Sequence, residues 1–218
     1  MCRYLTKNEL KEPKKIFNDW VKKVQKELKK EKRIHFSFDP IGSGKRNMVV
    51  WQCNRDSFDL DYQITLTKLP EDLAKNLSKK AKDINQIFKD AFDYYRPDGF
   101  GYCDDSTQAL TTLNVDKHFG YDVIITYRDS EGTLHILYNK KNTNGANNKD
   151  YWWAPKADMS NHRENYLKVV KSKHRKQLKD LYLKKRHAHK DDVEPNKKKS
   201  YQILNEAVNE IIEKYNIK

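Results

Sequence analysis

The stretch "FDLDYQITL", residues 58–66, alternates apolar and polar side chains without a break. Because successive side chains of a β-strand point to opposite faces of a sheet, this alternation predicts a strand with one buried face. Asp59, Asp61, Gln63 and Thr65 then share the other face, away from the core. Two carboxylates this close repel each other, so either open solvent or a cation must stabilise their charges.

The acidic pair therefore has two interpretations. Antiparallel sheets often expose one polar face, and the pair would then be a solvated acidic surface. A divalent metal would also resolve the repulsion, and carboxylate oxygens suit Mg²⁺ or Mn²⁺. Asp122 favours the metal, since it stands in the apolar run "YDVIITY", where packing gives no reason for an acid. If the two strands are neighbours, three acids can hold two ions about 4 Å apart, an arrangement used for phosphoryl transfer.

A Gly-containing break, "DPIGSGKRN", precedes this strand and predicts a turn or a short helix at Gly42, Ser43 and Gly44. Small residues let backbone N–H groups approach a phosphate closely, and the Ser43 hydroxyl can donate a hydrogen bond to it. Lys45 and Arg46 follow directly. These two side chains are either phosphate ligands or ordinary solvated charges.

The charge balance favours a polyanionic partner. The chain of 218 residues carries 44 Lys and Arg against 31 Asp and Glu, a net charge of +13. Such an excess is typical of proteins that bind nucleic acid, nucleotides or a membrane surface, although a solvated Lys-rich surface would give the same balance. No apolar run approaches the ~18 residues of a membrane span, and no signal-like segment opens the chain. The cysteines lack CxxC spacing, which predicts neither a zinc site nor a disulfide framework. We therefore expect a cytoplasmic protein without a membrane partner.

The remaining periodicities predict an α+β fold with a helical C-terminal half. Apolar residues at helical spacing predict one helix from Pro13 to about Lys30 and a single long helix over residues 69–95. Three β-like runs follow, at residues 106–115, 121–127 and 133–139, and the turn "RDSEG" joins the last two as a hairpin. From residue 160 onward the pattern is helical again.

Three further segments have open interpretations. The aromatic run in "YWWAPK", residues 151–156, could stack on a nucleobase or anchor its loop to the C-terminal helices. The basic segment over residues 168–187 could follow the backbone of an acceptor RNA or form the solvated face of a core helix. In "DGFGYCDDS", Asp104 and Asp105 are second-choice acids for the metal site.

Gly-Ser, a D-x-D strand and a third Asp between apolar residues together form a known pattern. Over residues 36–127 the chain resembles the polymerase β-like nucleotidyltransferase superfamily, and it looks most like the branch with cyclic GMP-AMP synthase and bacterial oligonucleotide cyclases. The resemblance implies a nucleotidyltransferase-type mixed sheet flanked by helices. It also implies a catalytic core over residues 1–150 and a helical region over residues 151–218 packed on that core. The gap from Ser43 to Asp59 exceeds the usual spacing of the family, so we expect "VVWQCNRDS" to form an extra hairpin or loop.

The resemblance also implies a role for each site residue. Asp59 and Asp61 would bind two Mg²⁺ or Mn²⁺ ions, and Asp122 would complete the ion that activates the acceptor hydroxyl. The implied reaction transfers a nucleoside monophosphate from an NTP, ATP among the candidates, to that hydroxyl and releases pyrophosphate. The residues expected to bind the nucleotide are Gly42, Ser43, Gly44 and Lys45.

The acceptor and the oligomeric state stay open. A second nucleotide would make the chain a cyclase-like or oligonucleotide-forming enzyme, and an RNA 3′ end, a protein side chain or a small molecule are the other acceptors. The alternative is a basic nucleic-acid-binding protein that has the same fold and no catalysis. Intact acids at Asp59, Asp61 and Asp122 argue against that alternative, because binding alone gives no reason to keep them.

Overall fold

The computed structural model describes residues 2–52, 56–141, 149–157, 160–192 and 198–217. The strands, in chain order, are β1 (Arg3–Tyr4), β2 (His35–Pro40), β3 (Val50–Trp51), β4 (Phe58–Lys68), β5 (Asp104–Asp105), β6 (Leu110–Asn114), β7 (Phe119–Arg128), β8 (Leu134–Lys141) and β9 (Lys149–Pro155). The helices are α1 (Lys11–Lys32), α2 (Gly42–Arg46), α3 (Glu71–Lys75), α4 (Ala81–Tyr94), α5 (Ser160–Lys171), α6 (Arg175–Ala188) and α7 (Ser200–Tyr215).

The chain divides into two compact units, and each is discontinuous in sequence. One unit comprises Thr6–Asn47 and Asp59–Lys156 and contains the large sheet. The other comprises Met1–Leu5, Met48–Phe58 and Ala157–Lys218 and contains α5 to α7. The predicted functional division into residues 1–150 and 151–218 is a separate matter and stays a prediction.

The large sheet has seven strands, in the order β2-β4-β7-β6-β5, with β8 pairing β7 and β9. The registers of β2 with β4 and of β5 through β9 are antiparallel. Where β4 and β7 contact each other, residue numbers increase in the same direction along both strands. A Cβ built on Gly120 would lie 2.9 Å from Asp59 Oδ1, and Thr65 Oγ1 lies 3.0 Å from Thr126 Oγ1. These two central strands are therefore parallel, and the sheet is mixed, as predicted.

One face of this sheet is covered by α1 and α4. The apolar stripe of α1 follows helical spacing, and the Phe17 ring stacks on the Tyr62 ring of β4 at a centroid distance of 3.6 Å. The Trp20 indole N–H donates to the carbonyl oxygen of Phe92 in α4 at 3.0 Å. The Tyr121 hydroxyl donates to the Pro13 carbonyl oxygen at 2.6 Å, which ties β7 to the start of α1. The buried polar groups of Trp20 and Tyr121 are thus hydrogen-bonded, as buried polar groups generally are.

Strand β4 has the alternation that its sequence predicts. Every second side chain is buried, and those between are only partly buried. The buried set consists of Phe58, Leu60, Tyr62, Ile64 and Leu66. The acids consequently lie on the face opposite to the helices α1 and α4.

The single helix predicted over residues 69–95 is wrong in one respect, because the structure has two helices, α3 and α4, joined by a turn. The residues between Leu77 and Ile84 include Ser78, Lys79 and Lys80, which offer no apolar contact to hold another helical turn against the core. The Leu77 carbonyl oxygen also accepts a hydrogen bond from the Trp153 indole N–H at 3.1 Å. Trp153 lies in β9, so the run "YWW" belongs to a strand of the sheet and not to a loop.

The second unit is built around its own apolar cluster. Helices α5, α6 and α7 supply most of its buried residues, and Cys2, Met48 and Val50 supply the rest; Val50 lies in β3, which pairs antiparallel with β1. The buried members include Val50, Val169, Leu178, Leu204 and Val208. No helix in the described parts of the chain has the length and apolarity that crossing a membrane requires.

The inserted segment "VVWQCNRDS" was expected to form a hairpin or a loop. The backbone N–H of Gln52 donates to the Ser57 carbonyl oxygen at 2.8 Å, and the two residues form an isolated antiparallel bridge. Residues 53–55 of this segment lie outside the described residues. Cys2 is disulfide-bonded, whereas Cys103 is free and buried, so the protein contains a disulfide that its cysteine spacing did not predict.

Candidate active site

The parallel pairing of β4 and β7 brings three acids to one face of the sheet. Asp59 and Asp61 lie on β4, and Asp122 lies on β7, with each side chain partly buried. Tyr121 and Val123, on either side of Asp122, are buried in the core, so the Asp122 carboxyl points to the opposite face. The sequence predicted the shared face of the first two acids. Asp122 could join Asp59 and Asp61 only if β7 lay beside β4, and in the structure the two strands are neighbours.

The three carboxyls influence one another electrostatically. Burial raises the pKa of Asp61 to about 7, the negative charges of Asp122 and Asp59 add to this effect, and Arg46 opposes it. Burial also raises the pKa of Asp122, with a further contribution from Asp59, while a hydrogen bond with Thr111 opposes the shift. At neutral pH the Asp61 carboxyl is therefore divided between its protonated and ionised forms. Such a pair of raised pKa values is typical of functional sites.

The Gly-Ser turn forms the short helix α2, which begins against Asp61. Gly42 has a φ of 55°, in the left-handed region, and a Cβ built there would lie 2.5 Å from Asp61 Oδ2. Only glycine fits this position, because a side chain would both strain the backbone and collide with the carboxylate. The backbone N–H of Ile41 donates to the Asp61 carbonyl oxygen at 2.9 Å, which fixes the turn to the strand.

The residues that follow Gly42 in this turn differ in their surroundings. Gly44 is buried, Ser43 is partly buried and Lys45 is exposed. The Arg46 guanidinium donates from Nη1 to the Gly42 carbonyl oxygen at 3.1 Å. Arg46 thus folds back over the turn and favours the ionised form of Asp61, which makes it more than a solvated surface charge.

Gly120 is a site residue that the sequence reasoning missed. A Cβ on Gly120 would lie 2.7 Å from the Thr112 carbonyl oxygen and 2.9 Å from Asp59 Oδ1. The absence of a side chain therefore leaves room for the Asp59 carboxylate beside β7. An isolated glycine within a strand indicates a close approach of this kind, and "FGYDVIITY" contained that indication.

The donor chemistry of the three acids fits a hard divalent cation. Carboxylate oxygens are the ligands that Mg²⁺ and Mn²⁺ prefer, and the repulsion among Asp59, Asp61 and Asp122 would be relieved by a cation. Within the described residues, no group of three or more His, Cys, Asp or Glu side chains is already arranged as a metal site. The raised pKa of Asp61 means that a proton partly serves as its counter-charge, so a metal ion would have to displace that proton.

The second-choice acids, Asp104 and Asp105, have different surroundings. Asp104 pairs with Thr111, which in turn pairs with Asp122, so Asp104 lies on the acidic face at the far edge strand and is exposed. Asp105 points the other way. Its carboxylate accepts hydrogen bonds from the Tyr151 hydroxyl at 2.5 Å and the Asn139 amide at 2.7 Å. Asp105 therefore has a structural role in joining β5 to the β8–β9 hairpin.

The polar face of β4 continues beyond the acids into a basic region. The Lys156 ammonium donates to Gln63 Oε1 at 3.0 Å, and Gln63 is two residues along the strand from Asp61. Burial lowers the pKa of Lys156, and the positive charges of Lys45 and Arg128 lower it further. Sequence reasoning missed Lys156, because a lysine that follows an apolar strand belongs to no motif.

Comparisons with known proteins agree with this geometry at the level of fold. No protein-family model matches the chain, and no curated protein matches it. Solved structures of bacterial DncV do match. The 3′-deoxy-GTP-bound form from Escherichia coli is 11% identical, with a TM-score of 0.68, over 95% of this chain and 68% of that one. The cyclic AMP-GMP synthase from Vibrio cholerae, in complex with the linear intermediate pppA(3′,5′)pG, is 12% identical, with a TM-score of 0.64 over 95% and 68%.

The chain spans only part of these structures, and its share falls to 52% for the GTP-bound form of the Vibrio cholerae protein. Vibrio cholerae DncV is also described as a prokaryotic homologue of cyclic GMP-AMP synthase. At these identities the likeness concerns the fold, which is the mixed sheet with flanking helices described above. The resemblance seen in the sequence is thus confirmed at the level of fold: the chain has the fold of DncV, a protein described as a prokaryotic homologue of cyclic GMP-AMP synthase.

Proposed function

We propose that the chain is a metal-dependent nucleotidyltransferase, which transfers a nucleoside monophosphate from an NTP to an acceptor hydroxyl and releases pyrophosphate. One observation carries the proposal. Three partly buried carboxyls share one face of two adjacent parallel strands, and a glycine turn begins directly against one of them. Packing gives no reason for this concentration of charge, since burial and repulsion raise the pKa of Asp61 and Asp122.

The residues take the following parts in this proposal. Asp59 and Asp61 would hold two divalent ions, and Asp122 would complete the ligands of one of them. Bound Mg²⁺ or Mn²⁺ would lower the pKa of the acceptor hydroxyl and neutralise charge on the leaving pyrophosphate. The turn at Gly42 and Ser43 binds the triphosphate with its backbone N–H groups and hydroxyl. Arg46 donates to the Gly42 carbonyl oxygen in the turn, and its charge partly offsets the rise in the pKa of Asp61.

We infer that the acceptor is a second nucleotide, so that the product is a linear or cyclic oligonucleotide. The support is the likeness to the Vibrio cholerae synthase, whose structure contains the dinucleotide intermediate pppA(3′,5′)pG. A catalytic core over residues 1–150, a helical region over residues 151–218 and a cytoplasmic location belong to the same proposal.

The alternative function is nucleic-acid binding without catalysis. The net charge of +13 and the Lys-rich helices α5 and α6 favour it. The two functions separate in one experiment. Each of the four NTPs, labelled at the α-phosphate, is incubated with the protein and Mg²⁺ or Mn²⁺, and the products are resolved by chromatography. We expect pyrophosphate release together with a labelled oligonucleotide product. Retention of labelled RNA on the protein with no turnover of any NTP would favour the alternative.

A further inference from the structure

The carboxylate face of β4 ends in a group of positive charges that the proposed metal site does not use. Lys156 directly follows strand β9, and its backbone N–H donates to the Leu134 carbonyl oxygen at 2.7 Å. Its side chain turns onto the polar face of β4, where the ammonium donates to Gln63 Oε1 at 3.0 Å. The ammonium is partly buried there, which is costly for a cation unless an anion compensates it.

A chain of hydrogen bonds orients the Gln63 amide. Its nitrogen Nε2 donates to Thr65 Oγ1 at 3.0 Å, and Thr65 Oγ1 lies 3.0 Å from Thr126 Oγ1 on β7. The Thr126 hydroxyl in turn donates to the Ile64 carbonyl oxygen at 2.8 Å. With the amide nitrogen engaged in this way, the Gln63 oxygen is directed at Lys156. The lysine is therefore positioned by the strand that carries Asp59 and Asp61.

Two further cations, from other elements, influence Lys156 electrostatically. Lys45 lies in α2, three residues after Gly42, whose backbone abuts Asp61. Arg128 ends β7 on the face that also carries Asp122, and it donates to the Gly132 carbonyl oxygen at 2.8 Å. Both are near enough for their charges to lower the pKa of Lys156. Among the described residues, none of these three cations is paired with a carboxylate.

Three cations without a counter-charge present the same physical problem as three carboxylates without a metal. Mutual repulsion opposes their convergence, and a bound polyanion would relieve it. Asp39, which pairs with Gln63 across β2 and β4, is the acid nearest in register, but it is exposed and makes no ion pair with Lys156. The carboxylates and the cations lie along one strand face, so a ligand with metal-binding and anionic parts would contact both groups.

We propose that Lys156, together with Lys45 and Arg128, binds the terminal phosphates of the nucleoside triphosphate, and that Gln63 positions the Lys156 ammonium for this contact. The choice of a nucleotide as the source of the phosphates rests on the proposed function. The anion site itself rests on the contacts of Lys156. A lysine supplies a point charge that suits a phosphate oxygen, as Lys side chains do in other phosphate sites.

The test uses inorganic tripolyphosphate, which has the anion but neither the base nor the sugar. Its affinity for the full chain is measured by calorimetry without divalent metal, for the wild type, Lys156→Met and the control Lys22→Met. Lys22 is exposed on α1, so its variant removes the same charge from another surface. We expect Lys156→Met to weaken tripolyphosphate binding at least tenfold and Lys22→Met to leave it nearly unchanged. Equal affinity of wild type and Lys156→Met, equal losses in both variants, or no binding to the wild type would each overturn the proposal.

Gln63 is tested as a positioning residue with a double-mutant cycle. Gln63→Leu should weaken tripolyphosphate binding severalfold in the wild type and have no further effect in the Lys156→Met background, because it acts through that lysine. Equal effects of Gln63→Leu in both backgrounds would refute this role.

Failure of the proposed function is distinguishable from failure of the anion site. A wild type that binds tripolyphosphate through Lys156 but turns over no NTP would refute nucleotidyl transfer and leave the anion site standing. Turnover that persists in Lys156→Met with an unchanged KM for the NTP would refute the anion site alone.

Discussion

At the scale of single residues, Asp61 shows most clearly that the cluster of acids lowers the stability of the fold. Its carboxyl is confined between the Gly42 backbone, the Asp59 and Asp122 charges and the buried part of the sheet. The raised pKa means that the folded state holds a proton that the unfolded state releases. Stability therefore falls as pH rises from the ordinary pKa of an aspartate to about 7, and the loss persists above that pH.

Asp61→Asn removes this cost. We expect the variant to be more stable than the wild type at about pH 8 without divalent metal, by about 2 kcal/mol in free energy of unfolding. Near pH 4 the wild-type carboxyl binds a proton in the folded state and to a large extent in the unfolded state. The difference in free energy of unfolding between variant and wild type should then nearly vanish. Denaturant titrations in EDTA at the two pH values measure this difference in free energy of unfolding. A variant less stable than the wild type at about pH 8 would show that the Asp61 carboxylate is not under repulsion.

Metal binding at the same residue should depend on pH. Because an ion must displace the proton of Asp61, whose pKa is about 7, Mn²⁺ affinity should rise between about pH 6 and about pH 8. Calorimetry in buffers of different ionisation enthalpy would detect the released proton. Affinity that is constant over this range, or equal in Asp61→Asn, would exclude the residue as a ligand.

The individual site residues differ in how far the sequence predicted them. Asp59, Asp61 and Asp122 stood out because an acid in an apolar strand conflicts with packing, which is a local property. Lys156 did not, since its importance depends on a contact with Gln63 that is 93 positions away in the chain. Contacts that join distant segments leave no periodic trace in the sequence.

At the scale of secondary-structure elements, the site depends on the pairing of β4 with β7. The alternation of β4 predicted which side chains face the core, and the structure agrees. The parallel pairing was not predictable from periodicity, because a pattern of period two states which face a residue takes and not which strand lies beside it. The same limitation explains the error over residues 69–95, where Trp153 from β9 donates a hydrogen bond to Leu77 in the turn between α3 and α4.

Gly120→Ala tests this pairing directly. The new methyl group would contact the Thr112 carbonyl oxygen of the neighbouring strand and Asp59 Oδ1, at the short distances given above. We expect a loss of about 1–3 kcal/mol in free energy of unfolding and a loss of NTP turnover, since Asp59 must move. Gly101→Ala is the matched control, because a Cβ there meets nothing closer than the Leu113 carbonyl oxygen at 3.8 Å. Equal stability and turnover in the two variants would contradict the described packing.

At the scale of the whole molecule, the charge distribution supports a nucleotide or nucleic-acid partner, and the acids locate the chemistry. The excess of Lys and Arg is spread over the chain, whereas the carboxyls on β4 and β7 form a single cluster. The charge of Arg46 lowers the pKa of Asp61 in this cluster, and Lys156 contacts Gln63 farther along β4. Composition favours a polyanionic partner, which stays a prediction, and it could not predict this clustering. The comparisons with DncV extend over 95% of the chain and concern its fold, so the proposed activity has to be tested at the acids.

The central claim is that this cluster of carboxylates transfers nucleotides. The most direct measurement is the initial rate of pyrophosphate release from NTPs in Mg²⁺ or Mn²⁺, for the wild type, Asp59→Asn and Asp122→Asn. Thermal unfolding of the same samples provides the control for folding. We predict turnover by the wild type and a decrease of about 10³-fold or more in each variant, with folding preserved. Wild-type rates in both variants, or no turnover of any NTP by the wild type, would contradict the account.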